Sequence, residues 1–222
     1  MGEEGLRERK KRQTRRRIRE VAMRLFVEHG FDKVTIAQVA AEAEVSVNTL
    51  YNYFEAKEDL VLPPDEASPQ RLAAIVRERA PGVSPARAVL DRLRQEVHGR
   101  ERQLGLTEGF GAVFEMMRSA PTLAARLEDL GREMTEALAA QLAEETGDER
   151  DDPVLCAVAG QIGWFHSLVF AEIGRRLVAG RGPEEIAADV LRLLDAVEEL
   201  LGERALTYAV RGAREDGGPL PG

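Results

Sequence analysis

Cysteine occurs once in the 222 residues, at Cys156, so no disulfide can form within the chain, and the sequence suits a reducing compartment, the cytoplasm. Aromatic residues are scarce, at 5%. With Ala, Leu, Glu and Arg abundant, that scarcity disfavours sheet and predicts an all-α chain. Histidine appears three times, as His29, His98 and His166, and no pair has a metal-ligand spacing such as HExxH, so no metal site is expected. The run Gly105 to Gly111 (GLTEGFG) lacks the lysine and preceding strand of a phosphate loop and reads as a helix junction. The acidic stretch Glu144 to Asp152 does not match a calcium-loop spacing. No catalytic constellation is legible; the expectation is a protein that is not an enzyme and needs no cofactor. The basic N-terminus is followed by no apolar run of the signal-peptide kind. Long uncharged runs are also lacking, with one exception: Pro153 to Ala171 carries no formal charge over 19 residues. It contains Gln161, His166, Ser167 and two glycines, and its helical pattern continues into Glu172, Arg175 and Arg176. It is read as a bundle or interface helix, with no membrane partner.

Charge is unevenly placed. The formal net charge is −8, yet residues 7 to 19 (RERKKRQTRRRIR) hold nine Arg or Lys and one Glu. The first 60 residues hold 12 basic and 11 acidic groups, a net +1, so residues 61 to 222 carry −9. A basic end on an acidic body can dock on a polyanion through one face only.

Punctuation divides the chain. A first helix is predicted from Arg7 to Glu28, with Ile18, Val21, Ala22, Leu25 and Phe26 as its apolar stripe and Gly30 as its end. Thr35 with Gln38 forms a capping box for a second helix through Glu42; Ser46 caps a third through Phe54; a fourth starts at Ala56 and is stopped by Pro63 and Pro64. Domains are placed at 1–62 and 63–211, with a disordered tail at 212–222. Prolines at 69, 85, 121, 153 and 183 mark helix starts, giving helices over 69–79, 84–104, 108–118, 121–146, 153–179 and 183–201. The expected fold is an N-terminal three-helix unit followed by a helical bundle.

In the N-terminal unit, Val39, Ala40, Val45, Leu50 and Phe54 fall on inward faces and join Leu25 and Phe26 in a core. Val47, Asn48, Thr49, Tyr51, Asn52 and Tyr53 point outward. Two short helices around a tight break, the second displaying amides, hydroxyls and phenols, are the helix-turn-helix arrangement for reading a major groove. Asn48 and Thr49 can reach base edges or phosphates, Val47 can pack on a thymine methyl, and Tyr51 can do either. Thr35, Ser46 and Lys57 lie at helix starts, where free amides favour phosphate oxygens. Arg15 and Arg16, within the basic run, are placed on the DNA backbone or in an adjacent minor groove.

The succession Gly30-Phe31, Val34-Thr35-Ile36, Val39-Ala40, Val45-Ser46, Leu50-Tyr51, Tyr53-Phe54 and Lys57-Glu58-Asp59-Leu60 resembles the TetR family of bacterial transcriptional regulators over residues 12 to 62. The resemblance implies that Thr35, Ser46, Thr49, Asn52, Tyr53 and Lys57 touch phosphates and that Val47, Asn48 and Tyr51 lie against base edges. It also implies a homodimer on a roughly palindromic DNA operator, and a C-terminal body that binds a small, partly apolar effector. Two departures stand out. Glu44 replaces the glycine usual in the turn, where a left-handed residue costs about 1 kcal/mol, and Pro63-Pro64 interrupt the usually long fourth helix.

Within the body, Phe110, Phe114, Met116, Met117, Trp164, Phe165, His166 and Phe170 are candidate pocket linings, with Gln161 and His166 as polar anchors; ordinary core is the alternative for each. Helices 153–179 and 183–201, with stripes including Leu155, Ile162, Leu168, Ile186, Val190, Leu194 and Val197, are the expected dimer interface. The reading is a ligand-responsive DNA-binding repressor, with activation as a variant. The rival is a helical ligand-binding or protein-interaction module that has lost DNA reading, and the polar display at 46–57 beside the basic run favours the repressor.

Overall fold

The structure, a computed structural model, describes residues 3–62, 67–99, 106 and 110–210. The prolines at 63 and 64, most of the Gly105 to Gly111 run and the 212–222 tail lie outside the described residues. Among those described there are ten α-helices, one 3-10 turn and no strand, which is the expected fold class. The helices are α1 (Glu3–His29), α2 (Ile36–Glu42), α3 (Val47–Tyr51), α4 (Arg71–Arg77), α5 (Pro85–Gly99), α6 (Phe110–Ser119), α7 (Pro121–Thr146), α8 (Pro153–Val178), α9 (Pro183–Leu200) and α10 (Glu203–Thr207); the 3-10 turn is Glu58–Leu60. Two compact units result. The first comprises Met1–Ser68, Glu108–Leu130 and Gly174–Gly180, and the second Pro69–Thr107, Gly131–Ile173 and Arg181–Gly222.

The first unit is built on α1, where Ile18, Ala22 and Phe26 recur at every fourth position and are wholly buried. Gly30, at φ +88°, ends the helix in the left-handed conformation, and its N–H donates to the Phe26 carbonyl at 2.9 Å. Phe31 then turns back and meets Phe26 edge to face, with ring centroids 4.9 Å apart. Val39, Ala40, Leu50, Phe54 and Leu60 complete this core. Truncating Phe26 or Phe54 to Ala should destabilise the unit by about 3–5 kcal/mol. In the same unit α6 lies close against the end of α8. A Cβ at Gly111 would sit 2.9 Å from the Leu177 carbonyl oxygen, and one at Gly174 would overlap the Phe114 ring, so both glycines are required by the approach.

The second unit gathers α4, α5, α9, α10 and the larger parts of α7 and α8. Leu72, Val76, Leu90, Leu93, Leu138, Phe165, Val190 and Leu194 are among its buried side chains. Here α7 and α8 also approach closely, since a Cβ at Gly163 would collide with the Thr135 hydroxyl, which donates to the Gly131 carbonyl at 3.0 Å. Arg79 is a buried knot. Its Nε donates to the Val83 carbonyl at 3.0 Å, Nη1 to that of Val76 at 2.6 Å and Nη2 to that of Ala209 at 2.9 Å, while Glu145 pairs with its guanidinium at 2.6 Å. Those partners satisfy a cation that would otherwise be costly to bury.

Three sequence expectations are corrected. The fourth helix from Ala56 is, among the described residues, only the 3-10 turn, with the Asp59 carboxylate accepting the Ala56 N–H at 2.9 Å at its start. The helix expected over 69–79 begins only at Arg71, and α10 was not foreseen. Of the stripe assigned to the dimer interface, Leu155, Ile162, Ile186, Val190, Leu194 and Val197 are buried within this one chain, leaving Leu168 partly open. A nearly uncharged helix has two apolar faces, and the sequence does not say which faces inward. Helix α8 is long and apolar enough to cross a membrane by length and composition, yet its stripe Leu155, Ala159, Ile162, Phe165, Val169, Ile173 is packed into protein.

Candidate nucleic-acid interface

Helix α3 is five residues long and cannot stand on propensity alone. It is held by its ends and by one anchor. Ser46 takes the extended conformation, and its hydroxyl accepts the Thr49 N–H at 3.0 Å while lying 2.8 Å from the Thr49 hydroxyl. Leu50 is wholly buried and fixes the helix's rotation. The preceding helix is set by the expected capping box: Gln38 Oε1 accepts the Thr35 N–H at 2.8 Å, and the Thr35 hydroxyl accepts the Gln38 N–H at 3.2 Å. Between the two, Glu44 adopts φ +52°, the left-handed turn conformation anticipated for that position.

With Leu50 inward, Val47 (40% exposed), Asn48, Tyr51 (49% exposed) and Asn52 stand in solvent. Val47 with Tyr51, and Asn48 with Asn52, are four residues apart, so two apolar and two amide side chains share one projecting face. Thr35 is exposed nearby in sequence, while Thr49 and Tyr53 are half-buried. A face that leaves a tyrosine and a valine to water and offers amides beside them is suited to base edges and thymine methyls.

Lys57 is differently placed from a simple surface cation. Its Nζ donates to the Phe31 carbonyl at 2.5 Å and stands 4.2 Å from the Phe31 ring centroid and 5.5 Å from that of Phe26. Burial lowers its pKa, opposed by Asp32 and Glu58. Lys57 therefore tethers the 3-10 turn to the loop after α1. Arg15 lies over the Phe54 ring at 5.4 Å, and Arg16 pairs with Glu20 at 2.7 Å, which raises its pKa. Two contacts not foreseen tie α1 to the helix-turn-helix: Arg24 to Glu42 at 2.7 Å and Arg17 to Glu44 at 3.8 Å. The run of basic residues at 7–19 signalled Arg17 but neither Arg24 nor these partners.

The candidate pocket residues are divided between the two units. Phe114 and Met117 are buried in the first unit on α6, with Phe110 half-buried there. Phe165 is wholly buried in the second unit; His166 and Phe170 are half-buried one turn apart on α8. Gln161 and Trp164 stand on the outer side of α8, Trp164 at 51% exposure, in an uncharged stripe with Val154, Ala157 and Leu168.

Residues 18–62 match the family model described as bacterial regulatory proteins, tetR family. The HTH-type transcriptional regulator TcmR of Streptomyces glaucescens is 31% identical over 156 residues, 67% of each chain. The HTH-type transcriptional repressor KstR of Rhodococcus jostii (strain RHA1) is 27% identical over 201 residues, covering 90% of this chain and 88% of that one. Among solved structures, that of a SmeT–triclosan complex superposes with a TM-score of 0.53 at 16% identity, covering 95% of this chain and all of that one.

Proposed function

Since this chain belongs to the TetR family of bacterial regulatory proteins and is a DNA-binding regulator, we propose that it acts in the cytoplasm as a homodimeric repressor, released from a roughly palindromic operator by a small effector. The observation that carries the DNA-reading part is the projecting face of α3, with Val47, Asn48 and Tyr51 in solvent on a helix capped at Ser46 and anchored by Leu50. In this reading Val47, Asn48 and Tyr51 meet base edges. Thr35, Thr49, Asn52 and Tyr53 meet phosphates, Ser46 sets the helix start, and Lys57 offers phosphate the ammonium hydrogens its tether leaves over. Arg15 and Arg16 add backbone contacts along α1. Repression and release by a small molecule are supported by the relatives: KstR is named a repressor, and SmeT is seen with triclosan.

Dimerisation is supported by the outer stripe of α8. Val154, Ala157, Gln161, Trp164 and Leu168 recur at spacings of three and four, uncharged and largely in solvent, which is what a helix-on-helix contact needs. Two recognition helices about 34 Å apart would then meet successive major grooves.

The test is a salt titration on palindromic DNA selected from a random library. Log K should fall linearly with log salt, by about 0.9 for each phosphate neutralised, and Arg16→Gln should flatten that slope while leaving sequence preference intact. No selection of any palindrome, or a salt-independent affinity, would remove the DNA-reading proposal.

A further inference from the structure

In the first unit the Lys57 ammonium rests on two features of a single neighbour. Nζ donates to the Phe31 carbonyl at 2.5 Å and stands over the Phe31 ring, 4.2 Å from its centroid. The same carbonyl accepts the Val34 N–H at 3.3 Å, so both of its lone pairs are used, one residue before the Thr35 cap of α2. Phe31 is itself fixed. It is 3% exposed and meets Phe26 edge to face at 4.9 Å, and the wholly buried Phe26 makes a second wall 5.5 Å from the ammonium. Buried in this way, Phe31 cannot meet DNA with its own side chain.

A lysine free on a surface samples many rotamers of its four-carbon stem, and ordering it on a phosphate subtracts from binding. Lys57 is ordered by folding instead. A ring face attracts a cation without occupying its hydrogens as a carboxylate would, so the charge and the remaining N–H groups stay available. Among the described residues no carboxylate pairs with the ammonium. The Phe31 ring therefore supplies attraction and direction together, and leaves the donor free for an anion.

We propose that Phe31 is a positioning residue for DNA binding, its ring face and carbonyl holding the Lys57 ammonium where it meets a phosphate. The proposal rests on the reading of Lys57 as a phosphate contact.

The experiment measures fluorescence anisotropy of the full chain on the selected palindrome and on an unrelated duplex of equal length. Four proteins are compared: wild type, Phe31→pentafluorophenylalanine, Lys57→Met and the double variant, each checked for helix content by circular dichroism. Fluorination keeps the shape of the ring and reverses the sign of its face, while the carbonyl is untouched. It should weaken binding about two- to tenfold, the range expected for losing the order of one long side chain. The factor should be equal on both DNAs, since a phosphate contact carries no sequence information. Lys57→Met should flatten log K against log salt by about 0.9, and in that background fluorination should change affinity by less than about twofold. Phe31→Leu, which removes the ring face by another route, should give the same loss with the same dependence on Lys57. Unchanged affinity on fluorination, a loss confined to the palindrome, or an equal loss with and without Lys57 would each overturn the proposal and leave the phosphate reading of Lys57 standing. A Lys57→Met protein with wild-type affinity and salt slope would remove that reading, and the proposal with it.

Discussion

Helix α3 has five residues, one wholly buried side chain, Leu50, and a hydroxyl cap, and it leaves Val47 and Tyr51 in solvent. Helix α8 has 26 residues and buries Leu155, Ala159, Ile162, Phe165, Val169 and Ile173 along its length, while the opposite side carries Trp164 in solvent. Both helices thus expose large apolar groups, but for different physical reasons. On α3 those groups share a face with amides and the helix fully buries only Leu50, so its position depends on that anchor and on hydrogen bonds at its start. On α8 burial of one face fixes the helix outright, and the other face is a continuous uncharged stripe. In the proposed function, stability comes chiefly from long helices, and DNA reading from a short one placed with care. Substitutions can pull these two apart.

The largest effect is expected in α8. Phe165→Ala should lower unfolding free energy by about 3–5 kcal/mol in chemical denaturation, with the DNA affinity of the folded fraction unchanged. Next comes pH. The folded-state pKa of His166 lies near 4, below the ordinary 6.5, so the unfolded chain binds more protons between those values. Stability is therefore full above about pH 6.5, falls by up to about 3 kcal/mol as pH drops toward 4, and flattens below that for this group. His166→Phe should remove that part of the slope, read from denaturation midpoints at a series of pH values. Ser46→Ala should cost about 1 kcal/mol through the lost cap, and unlike Phe165→Ala it should weaken DNA binding in the folded protein. The smallest change has the opposite sign. Glu44→Gly relieves the residue at φ +52° and should stabilise the fold by about 1 kcal/mol, less whatever the Arg17 contact contributes.

Much of this architecture is local, and local features were readable. The capping box at Thr35 and Gln38 is a four-residue pattern, and the helices starting at Pro121, Pro153 and Pro183 begin where proline supplies the required φ. The left-handed turn at Glu44 follows from the resemblance to the TetR family, which usually carries glycine in that turn. Features that depend on distant residues were not readable. Lys57 sits 26 residues from its acceptor Phe31, and no spacing rule announces that a lysine after a recognition helix will be roofed by two phenylalanines. The inward face of α8 is set by what packs on it, since its composition permits either side. The pairing of Arg71 with Glu96 spans 25 residues and two helices, and each residue taken alone reads as an ordinary surface charge.

The central claim is that the exposed face of α3 reads DNA without holding the protein together. Tyr51→Ala tests it most directly, by fluorescence anisotropy on the selected palindrome alongside a denaturation curve of the same sample. The account predicts a loss of about 1–3 kcal/mol in binding, roughly 5- to 150-fold in affinity, with an unfolding free energy within about 0.5 kcal/mol of wild type. An unchanged affinity, or a loss of binding matched by a loss of stability, would contradict it.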